Sequence, residues 1–250
     1  MTTANDIFEY LCELAPLELQ MSFDNSGFLV GRRDKCVRNV LLALDVTEAV
    51  VDEAVKNNAD MIVTHHPIIF HPLKSLTDSK LIKLAVNDIA VASMHTNLDI
   101  AQGGVNDVLL SLLGAEYSDT LDRDNCGRVG KLAQEIKFAD FLEICRTRLH
   151  GNGLRYYDAG RRVSKIAVLG GSGGDAVEDA FNKGCDTFVT ADISYHEFLL
   201  AQELGINLID GDHFGTENPI IPVLSEKLSE RFPSVYFTVS KVHKALIKFY

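Results

Sequence analysis

The octapeptide "VTHHPIIF" (residues 63–70) sets two adjacent histidines between an apolar run and a proline. Two later clusters repeat the same chemistry: His95 and Asp99 in "HTNLD", then His213 and Glu217 in "HFGTE". Imidazoles and carboxylates together form the ligand set for borderline divalent metals such as zinc, iron, manganese, cobalt or nickel. Successive side chains leave an extended backbone on opposite sides, so His65 and His66 are better used on two ions than on one. A carboxylate has two oxygens and can bridge such a pair, whose separation is about 3.5–4 Å. A blander account competes with this: a lone histidine after a strand usually serves a loop or a cap, and HxxxE occurs by chance in many chains. The recurrence of the clusters after successive apolar runs is what favours a metal site.

Those runs define the elements that must position the clusters. Ile7, Leu11 and Leu14 recur at helical spacing before Pro16 and predict an opening amphipathic helix. Residues 37–45 then read as a strand, 48–57 as a helix with Val51, Ala54 and Val55 inward, and 61–64 as a strand. A helix over 79–87, a strand over 89–94 and a helix through Val105, Val108, Leu109 and Leu112 follow. Strands alternating with helices at these lengths predict largely parallel sheets covered by helices, an α/β fold. The second half repeats the plan: strands at 165–170, 187–190 and 206–210, helices at 176–182 and 196–204, and a last helix through "VLSEKLSERF". Shifted by 126 residues, "VDEAVKNNADMIVT" falls on "VEDAFNKGCDTFVT" with Val51, Ala54, Asp60, Val63 and Thr64 repeated. This predicts two similar α/β halves, residues 1–120 and 121–250, with the irregular, glycine-containing stretch 121–162 (Gly127, Gly130, Gly151, Gly153, Gly160) as their junction. Ligands of parallel sheets bind at the carboxyl ends of the strands, where all three clusters fall. Provided that the two halves face one another, the expected metal site lies in the cleft between them.

Composition narrows the partners. The chain has 250 residues, is 46% hydrophobic and carries a formal charge of −11, which disfavours extended nucleic-acid binding, since phosphate contacts need clustered cations. The short basic clusters Arg32, Arg33, Lys35, Arg38 and Arg161, Arg162, Lys165 read as solvated faces. No apolar run approaches the roughly 18 residues of a membrane span, and the start "MTTANDIFEYLCELAP" lacks the basic and apolar regions of a signal peptide, so a cytoplasmic protein is expected. Five cysteines, Cys12, Cys36, Cys126, Cys145 and Cys185, form no CxxC pair and read as reduced, mostly buried thiols.

Other motifs admit second readings. "LGGSGGDA" (residues 169–176) holds GxGxxA between a strand and a helix, with Asp192 about 20 residues on, which is the layout of a dinucleotide site. The same glycines could instead let the turn pass close to other parts of the chain, or cradle a phosphate. His196 in "ADISYHE" is either a proton donor or acceptor at the rim or the cap of its helix. Asp24 and Asn25 in "SFDNSGF" read as turn residues, and His71, His150 and His243 as surface or packing residues.

Taken in order, "FDNSGFLVG", "LLALDVTEAVVDEAV", "ADMIVTHHPIIF", "MHTNLDIAQGGVND", "VLGGSGGDA", "ADISYHE" and "DGDHFGTE" resemble the Nif-three-like (NGG-one-interacting factor three) family across nearly the whole chain. Its bacterial members are often named GTP cyclohydrolase I type 2 homologues. The resemblance implies intertwined α/β halves, a dinuclear metal centre between them and a ring-like homohexamer. It also implies His65, His66, Asp99, His213 and Glu217 as ligands, Glu217 bridging, with His95 lining the site. Departures include Phe23 where a Trp is common, Ala191 in "TAD" and Asp212 in "GDH". Asp212 would tune His213 or add negative charge to the site. The inserted third domain of larger members, and any regulation through it, has no room here.

The expected function is a dinuclear metal-dependent hydrolase acting on a small-molecule substrate, with His95 or His196 moving protons at the leaving group. The family name implies hydroxide attack on the imidazole ring of a guanine nucleotide. A metal-carrying scaffold without catalysis and a dinucleotide-binding protein are the alternatives.

Overall fold

The computed structural model describes residues 1–121, 124–150 and 152–248. Gly151 of the expected junction lies outside them. The chain forms two compact units, residues 1–102 with 220–244, and residues 103–219 with 245–250.

The first unit opens with α1 (Ala4–Leu14), which Thr3 caps by accepting the Asp6 N–H while Asp6 returns a bond to Thr3. Strand β1 (Gly27–Val30), β2 (Asn39–Ala43), helix α2 (Glu48–Lys56), β3 (Met61–Thr64), α3 (Ser79–Val86), β4 (Ala90–Ser93) and the short α4 (Thr96–Ile100) follow. Helix α2 is too short to persist alone in water. Thr47 caps it, and burial of Val50, Val51 and Ala54 against Leu41, Ile62 and Val91 holds it, at about 1.5–3 kcal/mol per large side chain. The last elements of this unit come from the far end of the chain: α10 (Ile220–Arg231) and β11 (Tyr236–Val239). The sheet order is β1-β4-β3-β2-β11, with β2, β3, β4 and β11 parallel and β1 antiparallel to β4.

The second unit contains α5 (Val105–Leu112), β5 (Ala115–Thr120), β6 (Arg128–Ile136), α6 (Phe138–Arg148), β7 (Arg155–Tyr157), β8 (Val163–Ser172), α7 (Val177–Asn182), β9 (Thr187–Ala191), α8 (Tyr195–Leu204), β10 (Asn207–Asp210) and α9 (His213–Glu217). Its sheet runs β5-β6-β8-β9-β10-β7. Only β8, β9 and β10 are parallel; β5, β6 and β7 pair antiparallel. Phe141, Cys145, Val163, Ile166, Val168, Val189 and Ile209 form its core.

The two units share one plan. In each, a short strand (β1 or β7) pairs antiparallel with the third parallel strand, and strand, helix, strand, helix, strand, short helix follow in order. Most predicted elements stand within a few residues of their expected bounds. The stretch 121–162 differs: it holds β6 and α6 rather than an irregular junction. The outer half of β6 is exposed, so alternation is weak there, and Gly127 and Gly130 mark close approaches, whereas Gly160 lies in a loop with nothing within 4 Å of an added Cβ. A Cβ on Gly130 would lie 3.0 Å from Leu110, and one on Gly127 would press on Leu121 and the Val168 carbonyl. Residue 121 sits between β5 and β6 of one sheet, so the compact units meet at 102/103, and α10 and β11 return to the first.

The cysteines form no disulfide among the described residues. Burial pushes the Cys145 thiol up to about 12 and that of Cys185 to about 11, whereas Cys36 is exposed. No helix among the described residues is long and apolar enough to cross a membrane.

Candidate metal centre

In the first unit, pairing of Ala43 with Thr64 and Thr64 with Ser93 brings the carboxyl ends of β2, β3 and β4 to one edge. Asp45, His65, His66 and His95 follow these ends directly. Gly27 opposes Ser93 in the antiparallel β1, so Asp24 arrives at the same edge from the other direction. Strand β3 ends at Thr64, and the two histidines lie in a bend where strand alternation no longer applies. Their rings therefore do not diverge: the centroids are 4.9 Å apart, and each lies 5.1–5.4 Å from the ring of His95. One ligand atom from each of the three histidines lies within 4.8 Å of the others, a grouping that could hold an ion. Asp99, buried on α4, places Oδ1 3.6 Å from His65 Nε2.

Hydrogen bonding at the other ring nitrogen is more telling. His65 Nδ1 lies 2.8 Å from the Met94 carbonyl, His66 Nδ1 2.7 Å from Asp45 Oδ1, and His95 Nδ1 2.8 Å from Asp24 Oδ1. Carbonyls and carboxylates only accept, so Nδ1 carries the proton in each, and Nε2 of the neutral ring carries the lone pair. Metal-ligating histidines are oriented in this way.

In the second unit, His213 and Glu217 stand four residues apart on α9, with Nε2 3.0 Å from Oε2. The Nδ1 of His213 lies 2.6 Å from Asp192 Oδ2, immediately beyond β9. Burial opposes charge on His213, but Glu217 and Asp192 outweigh it and raise its pKa to about 9. A metal taking Nε2 must displace that proton, so binding is coupled to pH. Asp212 enters α9 with φ of +68°, and burial pushes its carboxyl above the ordinary range, reinforced by Asp210.

Gly171 explains the glycine-rich stretch. Strand β8 runs through it to Ser172, and a Cβ there would overlap a Glu217 oxygen and lie 3.2 Å from His213 Nε2. Its N–H donates to Thr216 Oγ1 at 3.0 Å. The close-approach reading thus accounts for Gly171. The acid that a dinucleotide fingerprint would use, Asp192, is bonded to His213 instead.

His196 is exposed at the second position of α8, 6.0 Å ring to ring from Tyr195; the cap is Ser194 with Glu197. His71 is exposed. Of the two readings of His243, surface or packing, the side chain at 6% exposure fits packing, but it has a companion: Nε2 lies 2.9 Å from Asp45 Oδ2. Asp24, Asp45 and Asp192, which hold the Nδ1 of His95, His66 and His213, are the members of the candidate site that periodicity misses. The available signal was position, an acid flanking a strand end beside each histidine cluster.

Asp24 also accepts from the Thr96 N–H and hydroxyl and from Ser26. Burial raises its carboxyl, but these bonds and His95 hold it well below the usual range. A depressed carboxylate contributes stability above its unfolded pKa, about 3.9, and loses it as pH falls toward the folded value. Asp24→Asn is expected to cost about 1–3 kcal/mol at pH 7 and progressively less below about pH 4. Thermal melts between pH 7 and 2 check this; a loss independent of pH would contradict it.

A family model described as Duf34/NIF3 (NGG1p interacting factor 3) matches residues 2–245. The chain is 38% identical over 258 aligned residues to a Clostridium perfringens protein named GTP cyclohydrolase 1 type 2 homolog, covering 98% of each. A Methanocaldococcus jannaschii protein of the same name is 34% identical, covering 86% of this chain and 89% of its own. Among solved structures, the Bacillus cereus protein related to NIF3 superimposes with a TM-score of 0.91 at 26% identity, covering 100% and 99% of the two chains. Reduced HcgD from M. jannaschii gives 0.86 at 31%, covering 96% and 98%. With the match running through every histidine and carboxylate cluster described above, the chain belongs to the Duf34/NIF3 family.

Proposed function

We propose that this chain is a dinuclear metal-dependent hydrolase. By the family resemblance, His65, His66, Asp99, His213 and Glu217 would be the ligands of two divalent ions (zinc, iron, manganese, cobalt or nickel), with Glu217 bridging. The observation that carries the reading is the shared orientation of four imidazoles, each with Nδ1–H held by an aspartate or a backbone carbonyl. When bound, such a pair of ions supplies acidified water and polarises the group under attack.

The chain's own residues would do the rest. His95, steadied by Asp24, lines the three-histidine cluster and can accept or return a proton through Nε2. His196, on the exposed start of α8, is the second proton-transfer candidate. The relatives' name supports a nucleotide substrate, with opening of a guanine imidazole ring as the first reaction to try. A cytoplasmic homohexamer is the expected form of the protein.

Metal-loaded protein should be assayed against a panel of guanine nucleotides, other nucleotides and phosphoesters, with His95→Gln and His196→Gln alongside. Turnover that needs metal and falls about 10²–10⁴-fold in one of these variants supports the hydrolase. No turnover across the panel, with metal retained, favours the second reading, a metal-carrying scaffold in which protein ligands close the coordination shell.

A further inference from the structure

We propose that the C-terminal segment completes the metal centre, with His243 acting as a positioning residue that fixes the imidazole of His66 through Asp45. The proposal rests on the metal reading above. Its basis is topological and then geometric. Strand β11 runs parallel to β2 with Val239 opposite Leu42, so the residues after β11 emerge at the same sheet edge as Asp45, beside the histidine cluster. The Ser240 N–H donates to the Leu42 carbonyl at 2.8 Å, and the Lys241 N–H to Glu53 Oε1 at 3.0 Å, which ties the segment to the sheet and to α2. The His243 N–H then bonds back to Ser240 Oγ at 3.2 Å and turns the ring inward. Lys241, Val242 and Lys244 are exposed, while the His243 side chain is buried among them.

Asp45 thereby receives an imidazole on each oxygen: His66 Nδ1 at 2.7 Å on Oδ1 and His243 Nε2 at 2.9 Å on Oδ2. The χ2 torsion of an aspartate is broad, so one hydrogen bond leaves the carboxylate free to swing. The Asp45 backbone N–H also lies 3.2 Å from His243 Nε2, but a carboxylate can only accept, so the shorter contact to Oδ2 selects the tautomer with the proton on Nε2. Two N–H groups on opposite oxygens then fix the plane of the carboxylate, and with it the direction in which His66 aims Nε2. Outer-shell partners of this kind usually change metal affinity by 10–100-fold. His243 acts one bond further out, which places its effect at the lower end.

The test uses the full chain, with zinc affinity read by competition against a chromophoric chelator and the electronic spectrum of the cobalt(II)-loaded protein read in parallel. His243→Ala should weaken one of the two sites about 10-fold and shift the cobalt bands. His243→Gln, whose amide N–H can still donate to Asp45, should recover most of both. His243→Phe fills the space without a donor and should behave like the alanine variant, so the Gln and Phe pair carries the comparison if His243→Ala does not fold. Unchanged affinity and cobalt spectrum in His243→Phe, with only the metal-free melting temperature lowered, would overturn the proposal and leave a purely structural contact. The metal reading fails separately, if His66→Ala and Glu217→Ala bind metal as the unaltered chain does.

Discussion

Glu217→Ala is expected to reduce bound metal from two equivalents per chain to one or fewer and to weaken the remainder by about 100-fold or more. Loss of an outer-shell partner already costs 10–100-fold, so removal of the ligand proposed to bridge the two ions starts at the upper end of that range. The side chain is buried and faces His213 Nε2 at 3.0 Å, so the change also acts on the metal-free protein. Glu217 is one of two carboxylates that raise the His213 pKa to about 9. Glu217→Gln, which keeps the volume and removes the charge, should lower that pKa, as imidazole proton resonances would follow. Elemental analysis reads the first effect. Full metal content in both variants would reject Glu217 as a ligand.

Gly171→Ala should be nearly as damaging, for reasons of space. The backbone there has φ of +67°, a left-handed conformation in which a Cβ is disfavoured by about 1–2 kcal/mol. The added Cβ would overlap the Glu217 carboxylate and lie 3.1 Å from Glu217 Cδ, forcing Glu217 and α9 to move. A total cost of about 2–4 kcal/mol is expected, combining the backbone term with overpacking, together with metal loss close to that of Glu217→Ala. Denaturant unfolding and metal content check the two parts. A stable variant with full metal would mean that β8 does not approach the His213 and Glu217 pair as described. Gly160→Ala is the control: its φ is +75°, yet nothing lies within 4 Å of an added Cβ, so only the backbone cost applies.

The parallel core was legible because its strands are buried on both faces and read as unbroken apolar runs, as in "MIVT" and "TFVT". The histidine clusters were legible because they follow those runs, and the repeat at 126 residues corresponds to the shared strand and helix order of the two units. The edge strands were not. Strands β1, β5, β7 and β11 are short or solvent-facing, and their placement depends on pairing with distant residues that local periodicity does not encode. The same limit hid the acids that orient the histidines. Asp24 reads as a turn residue, and only the pairing of Gly27 with Ser93 carries it to His95. His243 looked solitary because Asp45, its partner, lies 198 residues away. The expectation that His65 and His66 project apart assumed that the strand continued through them, whereas it ends at Thr64.

Anomalous diffraction from crystals of the full chain grown with zinc or cobalt tests the central claim most directly. Two anomalous peaks about 3.5–4 Å apart are predicted, contacted by Nε2 of His65, His66 and His213 and by Asp99 and Glu217, with a Glu217 oxygen on each ion. An empty pocket at saturating metal, or imidazoles bound through Nδ1 with their aspartate contacts broken, would contradict the account.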